Sequence, residues 1–150
     1  MPLPAGAHGF FDAACTAAVE ILHLDRAMVM IHEGGSWHPR AVKFADPDAN
    51  VGEGELKYCE GLMSRVMRKG KTVIYDPDDH MPSAGSSLML LERAVASPIT
   101  DETGRAIGVL YGDRALGGAA DRKPIGDPEV QLLEVLADAV SSGLARQRGE

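Results

Sequence analysis

Residues 94–114 read AVASPITDETGRAIGVLYGDR, and this stretch decides the fold. Ala94 to Thr100 and Ala106 to Tyr111 are short apolar runs rich in β-branched residues, as strands are. Asp101-Glu102-Thr103-Gly104 lies between them, with glycine where a left-handed backbone is wanted. The pair reads as an antiparallel hairpin. A hairpin alone is marginal in water, so its faces require further strands and helices.

Working upstream, Thr72 to Tyr75 is a short strand. Glu60 to Lys69 before it reads as a helix with an apolar face of Leu62, Met63, Val66 and Met67, stopped at Gly70. Asp76 to Ser87 is a polar loop, and Leu88 to Glu92 reads as a short helical turn. Ala45 to Glu55, rich in Asp and Gly, is a second long loop. Ala27 to Ile31 is a buried strand. Glu33-Gly34-Gly35-Ser36 turns it into an antiparallel partner, Trp37 to Phe44, whose Pro39 suits a sheet edge. In that hairpin His32 and His38 are expected to face each other. From Phe10 to Leu22 apolar residues recur every three or four positions, which predicts a helix ended by Leu24-Asp25-Arg26.

Downstream, Ala115 to Gly126 is a Gly- and Ala-rich loop. The closing helix has Asp127 as expected N-cap and Pro128 as expected first helical residue. Val130, Leu133, Leu136, Ala137, Val140 and Leu144 form its stripe, and Arg146 and Arg148 suit the negative end of its dipole. The chain thus divides into a loose leader, 1–9, and one domain, 10–148, of α+β class with an antiparallel sheet and helices beside it.

Composition narrows the function. The 150 residues carry 15 Lys+Arg against 22 Asp+Glu, a net charge of −7. An acidic chain is a poor partner for nucleic acid or an anionic membrane. No apolar run approaches the roughly 20 residues that span a bilayer. There is no basic-then-apolar leader, and two cysteines make no disulfide framework, so a cytoplasmic home is expected.

Catalytic motifs are absent. The five histidines have no zinc-hydrolase spacing, and neither GxSxG nor a phosphate-cradling glycine loop occurs. Asp76-x-Asp78-Asp79-His80 has carboxylates a cation would like but lacks the EF-hand glycine and glutamate, so it reads as a solvated loop. No metal is expected. Cys59, at the expected start of the second helix, is where the dipole would stabilise a thiolate. Cys15 lies on the apolar stripe of the first helix and reads as core or interface.

The order of these elements resembles a GAF domain. Four stretches carry the resemblance: Leu24-Asp25-Arg26-Ala27 entering a strand; Ser64 to Ile74, a helix, glycine stop and strand; Ala96-Ser97-Pro98-Ile99 with Ile107 to Arg114; and the closing Leu132-Leu133-Glu134-Val135-Leu136-Ala137. It covers residues 10–148 and is similar to GAF modules found beside forkhead-associated domains, cyclases or transcription activators in bacteria. The resemblance implies a sheet in order 2-1-5-4-3. It places the first and last helices on one face, and loops and short helices over a pocket on the other. It implies that Tyr75, Ser86, Ser87, Arg93, Ser97 and Tyr111 line that pocket; Arg93 could pair an anionic ligand bidentately or equally be a surface residue.

The Asn-Lys-Phe-Asp-Glu signature of cyclic-nucleotide-binding members, the bilin-attaching Cys-His pair and the cysteine set of methionine-sulfoxide-reducing members are not found. The expected function is therefore a non-catalytic regulatory module. It would bind an unidentified small molecule and signal as a homodimer through helices 10–24 and 128–148 to an effector domain outside this chain. The cofactor is unknown. The alternatives are a dimerisation module without ligand, or a redox enzyme or sensor using Cys59.

Overall fold

The computed structural model describes residues 7–45, 54–75, 91–115 and 126–149, with the side chains of all of these except 7–8, 54–60, 75, 91–93, 115 and 146–149. The elements are α1 (Ala7–Leu22), β1 (Arg26–Glu33), β2 (Ser36–Phe44), α2 (Gly54–Lys69), β3 (Val73–Tyr75), β4 (Leu91–Thr100), β5 (Ala106–Ala115) and α3 (Asp127–Gly149). The five strands form one antiparallel sheet in the order β2-β1-β5-β4-β3, as the resemblance implied.

Turn chemistry fixes the register of both hairpins. Gly34 and Gly35 both have positive φ, so Glu33 pairs with Ser36 across a two-residue loop. Met30 pairs with Pro39 and Val29 with Ala41, which leaves Arg40 as a bulged residue on the edge strand and accommodates the proline. The same register puts His32 opposite Trp37 and His38 opposite Ile31. The expected His32–His38 pairing is thereby corrected: His32 packs on the Trp37 ring at 4.9 Å, and His38 bonds the Glu33 carbonyl at 3.2 Å. In the second hairpin the Asp101 carboxylate accepts from Thr103 N–H (2.9 Å) and Arg105 N–H (3.1 Å), while Gly104 takes φ +85°.

Several boundaries differ from expectation; β1 and β5 run on to Glu33 and Ala115. Helix α1 starts at Ala7, inside the stretch read as a leader. Helix α2 starts at Gly54 rather than Glu60, which puts Cys59 in its second turn and not at its N-terminus as expected. Leu91 and Glu92, expected in a helical turn, belong to β4, where Leu91 pairs with Ala115. The extended β5 offers a ladder to Leu91 and Arg93, with Glu92 bulged between them, and tertiary pairing outweighs local preference. Val130 N–H bonds the Gly126 carbonyl at 3.1 Å, so Gly126 caps α3 and Asp127 stands in its first turn.

Alternation along the strands makes two apolar layers. Val29, Ile31, Val95, Ile99 and Leu110 face α1 and α3, which bury Phe11, Cys15, Leu22, Leu133, Ala137 and Leu144 against them. Met28, Met30, Ala96, Val109 and Tyr111 face α2, which buries Leu62, Met63 and Val66. Each large apolar side chain contributes roughly 1.5–3 kcal/mol, so the layers, not helix propensity, hold α1 and α3 down. Two glycines permit the close approaches. A Cβ at Gly108 would stand 2.3 Å from the Met30 carbonyl oxygen, and one at Gly143 would stand 3.1 Å from the Phe10 ring. No helix among the described residues is long and apolar enough to cross a membrane.

Candidate functional site

The α2 face of the sheet is apolar except at one end. There the first residue of β1 and the eighth of β5 meet. Arg26 pairs with Asp113 in register, and its Nη2 donates to the Asp113 carboxylate. Both residues are 3 % exposed. Two positions earlier on the same face of β5, Tyr111 donates its hydroxyl proton to the same carboxylate oxygen at 2.6 Å. The Arg26 guanidinium carbon stands 5.7 Å from the Tyr111 ring centroid, within cation–π range.

Burying an ion pair costs desolvation that only good geometry and further hydrogen bonds offset, and here the Tyr111 hydroxyl supplies such a bond to the carboxylate. Beside it Ala94 and Ala96 of β4 contribute only methyl groups, and Ala96 pairs with Tyr111. Apolar walls with a few convergent polar groups are what a small-molecule site requires.

The next residue on β5 points the other way. Arg114, 2 % exposed, donates from Nη2 to the Leu22 carbonyl (2.7 Å) and from Nε to the His23 carbonyl (3.1 Å). Those carbonyls close the C-terminal end of α1, where His23 adopts φ 55° as the left-handed cap. A cation there also meets the negative end of the helix dipole. Adjacent residues of one strand thus hold the polar cluster on one face and the end of α1 on the other.

The residues assigned to the pocket from sequence separate. Tyr111 stands in the polar cluster. Ser97 shares a face with Val95 and Ile99, not with Tyr111, because side chains alternate along β4. Its hydroxyl lies 2.8 Å from that of Thr72, and it lines a cleft beside α3. Tyr75 pairs with Ala94 and Arg93 with Arg114 in the backbone ladders; their side chains, with Ser86, Ser87 and the 76–80 acidic segment, lie outside the described residues. Arg26 and Asp113 lie in the stretches that carry the family resemblance, but the sequence alone does not bring them into the site. Their signal is a charge at the end of an otherwise apolar strand, in both β1 and β5.

The Cys15 thiol is pushed up to about 12, first by burial and then by the nearby Asp12 carboxylate. A thiol held protonated in the core is a packing group. No cluster of metal-binding side chains occurs among the described residues. The side chain of Cys59 lies outside them.

The profile of the GAF domain family matches residues 7–144. No curated protein sequence matches. Among solved structures, the chain is similar to the blue-light-absorbing form of the PixJ GAF domain from Thermosynechococcus elongatus, with TM-score 0.72 and 14 % identity over 95 % of this chain and 86 % of that one. It is similar to the GAF domain/HD domain protein of Geobacter sulfurreducens, with TM-score 0.68 and 13 % identity over 96 % and 95 %. A type II free methionine-R-sulfoxide reductase from Thermoplasma acidophilum has TM-score 0.67 and 22 % identity over 97 % and 96 %. At these identities the likeness concerns the fold.

Proposed function

The chain belongs to the GAF domain family, and we propose that it is a non-catalytic sensory or regulatory member. On this reading a small molecule binds over the α2 face near Arg26, Tyr111 and Asp113. The response leaves through α1 and α3, in a cytoplasmic homodimer joined to an effector. The observation that carries the reading is the adjacency of Asp113 and Arg114. A ligand that draws on the Asp113 carboxylate or the Tyr111 hydroxyl shifts β5, and Arg114 passes that shift to the end of α1. The ligand acts by favouring one helix arrangement over another, to the extent that it binds the two differently.

Dimerisation through the helices 10–24 and 128–148 is supported by what those helices leave uncovered. Ile21 is 54 % exposed and Val135 60 %. Native mass spectrometry, repeated after denaturation, tests both parts. The expected species is a dimer carrying a small mass that denaturation removes, and Ile21→Glu with Val135→Glu should convert it to a folded monomer. A clean monomer from the unaltered chain overturns the dimer. A clean dimer with no ligand-dependent rise in Tm across a metabolite panel leaves a structural dimeriser instead.

The fold itself does not decide between sensing and catalysis, since a reductase shares it. The catalytic alternative would rest on Cys59. Cys59→Ser is expected to leave ligand binding intact, and peroxide-dependent turnover abolished by that substitution would favour the enzyme.

A further inference from the structure

A cleft of about 390 Å³ lies on the side of the sheet opposite the Arg26–Asp113 cluster. It opens just before β3 begins. Val73 pairs with Ala96, so from Ser97 onward β4 has no strand on that side among the described residues. The edge is closed to strand addition. Pro98 offers no N–H, and the Thr100 N–H is taken by Ser141 Oγ of α3 at 2.9 Å. The gap is therefore fitted to a small molecule and not to an extended peptide.

Its walls carry both signs of charge. Lys71 enters from the turn after α2, and Glu134 and Asp138, one turn apart, enter from the same face of α3. No ion pair joins the lysine to either carboxylate. The floor is the hydroxyl pair of Thr72 and Ser97, 2.8 Å apart. Ser97 is 2 % exposed. Two hydroxyls carry two protons, and their mutual bond uses one. Neither has another partner among the described residues, so one O–H is left to donate within the cleft.

We infer that this cleft binds a small zwitterion, of which a free α-amino acid is the simplest kind. The ammonium sits between Glu134 and Asp138, and the carboxylate takes the surplus hydroxyl proton and faces Lys71. The inference does not rest on the ligand or the site proposed for the α2 face. A zwitterion held here bridges α3 to the turn between α2 and β3, so it would tether the helix from a second position.

Nuclear magnetic resonance of the full ¹⁵N-labelled chain tests it, with the twenty free L-α-amino acids as probes and acetate and ethylammonium as single-charge controls. At least one amino acid is expected to give saturable shifts at the amides of Gly70 to Thr72, Ser97 and Glu134 to Asp138. Lys71→Gln, and Glu134→Gln with Asp138→Asn, should each weaken that binding about tenfold, as loss of a charge-assisted contact does. These side chains are exposed, so the variants keep the fold, and their spectra verify it. Three results would overturn the inference: no saturable shift with any amino acid, equal affinity for acetate alone, or binding unchanged in the variants. Shifts confined to residues around Tyr111 would also overturn it, while supporting the site on the other face.

Discussion

Arg114→Met separates what the buried guanidinium holds from the space it fills. Methionine keeps an unbranched apolar stem but has no donor. The substitution takes two hydrogen bonds from the C-terminal carbonyls of α1, at Leu22 (2.7 Å) and His23 (3.1 Å). Hydrogen bonds from a charged donor contribute roughly 1.5–3 kcal/mol each. The pair gives about 3–6 kcal/mol, and water reaching the exposed His23 returns part of it. A net loss of about 3 kcal/mol is expected. For a domain of this size that lowers Tm by roughly 6–12 °C. Urea unfolding should show a lower midpoint at unchanged slope. Hydrogen exchange should quicken first over residues 18–23, since the lost bonds are local to that end. Arg114→Lys keeps the charge and one donor nitrogen, and should lose about half as much. A loss below about 1 kcal/mol for Arg114→Met, or uniform exchange across α1, would refute the account of Arg114 as the clamp.

Tyr111→Phe removes the proton donated to Asp113 at 2.6 Å; a loss of about 1–2 kcal/mol in urea unfolding is expected, with weaker binding of any ligand seated beside it. Cys15→Ala should cost about 1–2 kcal/mol near neutral pH through lost packing. The native Cys15 thiol ionises only at about 12 against an ordinary 9.0. Its burial therefore adds stability that is complete below pH 9 and is lost as pH rises toward 12, so the gap between wild type and Cys15→Ala should narrow over that window. Gly108→Ala drives a Cβ to within 2.3 Å of the Met30 carbonyl oxygen, a backbone atom, whereas the atom nearest a Cβ at Gly112, also at 2.3 Å, is the side-chain terminus Cδ1 of Leu24. The first should cost about 3 kcal/mol and the second about 1, and a reversed order in urea midpoints would contradict the packing.

Much of this fold is legible in the sequence because its turns are chemically explicit. Gly34-Gly35 and Asp101 with Gly104 fix two hairpins, and apolar stripes mark α1 and α3. The sheet order came from family resemblance, since nothing local says which strand lies beside which. Leu91 shows the limit: its strand state depends on a β5 partner, Ala115, more than twenty residues away. Arg26 and Asp113 show it more strongly, because they meet only once β1 and β5 are in register, 87 positions apart. The placement of Ser97 is legible in the sequence. Val95, Ser97 and Ile99 alternate with Ala94, Ala96 and Pro98, and that period alone removes Ser97 from the face that holds Tyr111.

The β4–β5 ladder is pinned to a helix at each end. Arg114 fastens α1 where the ladder closes with Arg93, and Thr100 fastens α3 through Ser141 where it opens near Ala106. The two pins stand roughly 23 Å apart along the strands, at 3.3 Å per residue. Strands twist more readily than they stretch. A few degrees of added twist between the pins therefore turns one helix against the other like the two ends of a wrung cloth, with neither helix having to slide or unwind. On the proposed reading rotation is the motion that carries the response, and a disulfide placed to lock the α1–α3 crossing angle is expected to stall it while leaving Arg26, Tyr111 and Asp113 untouched.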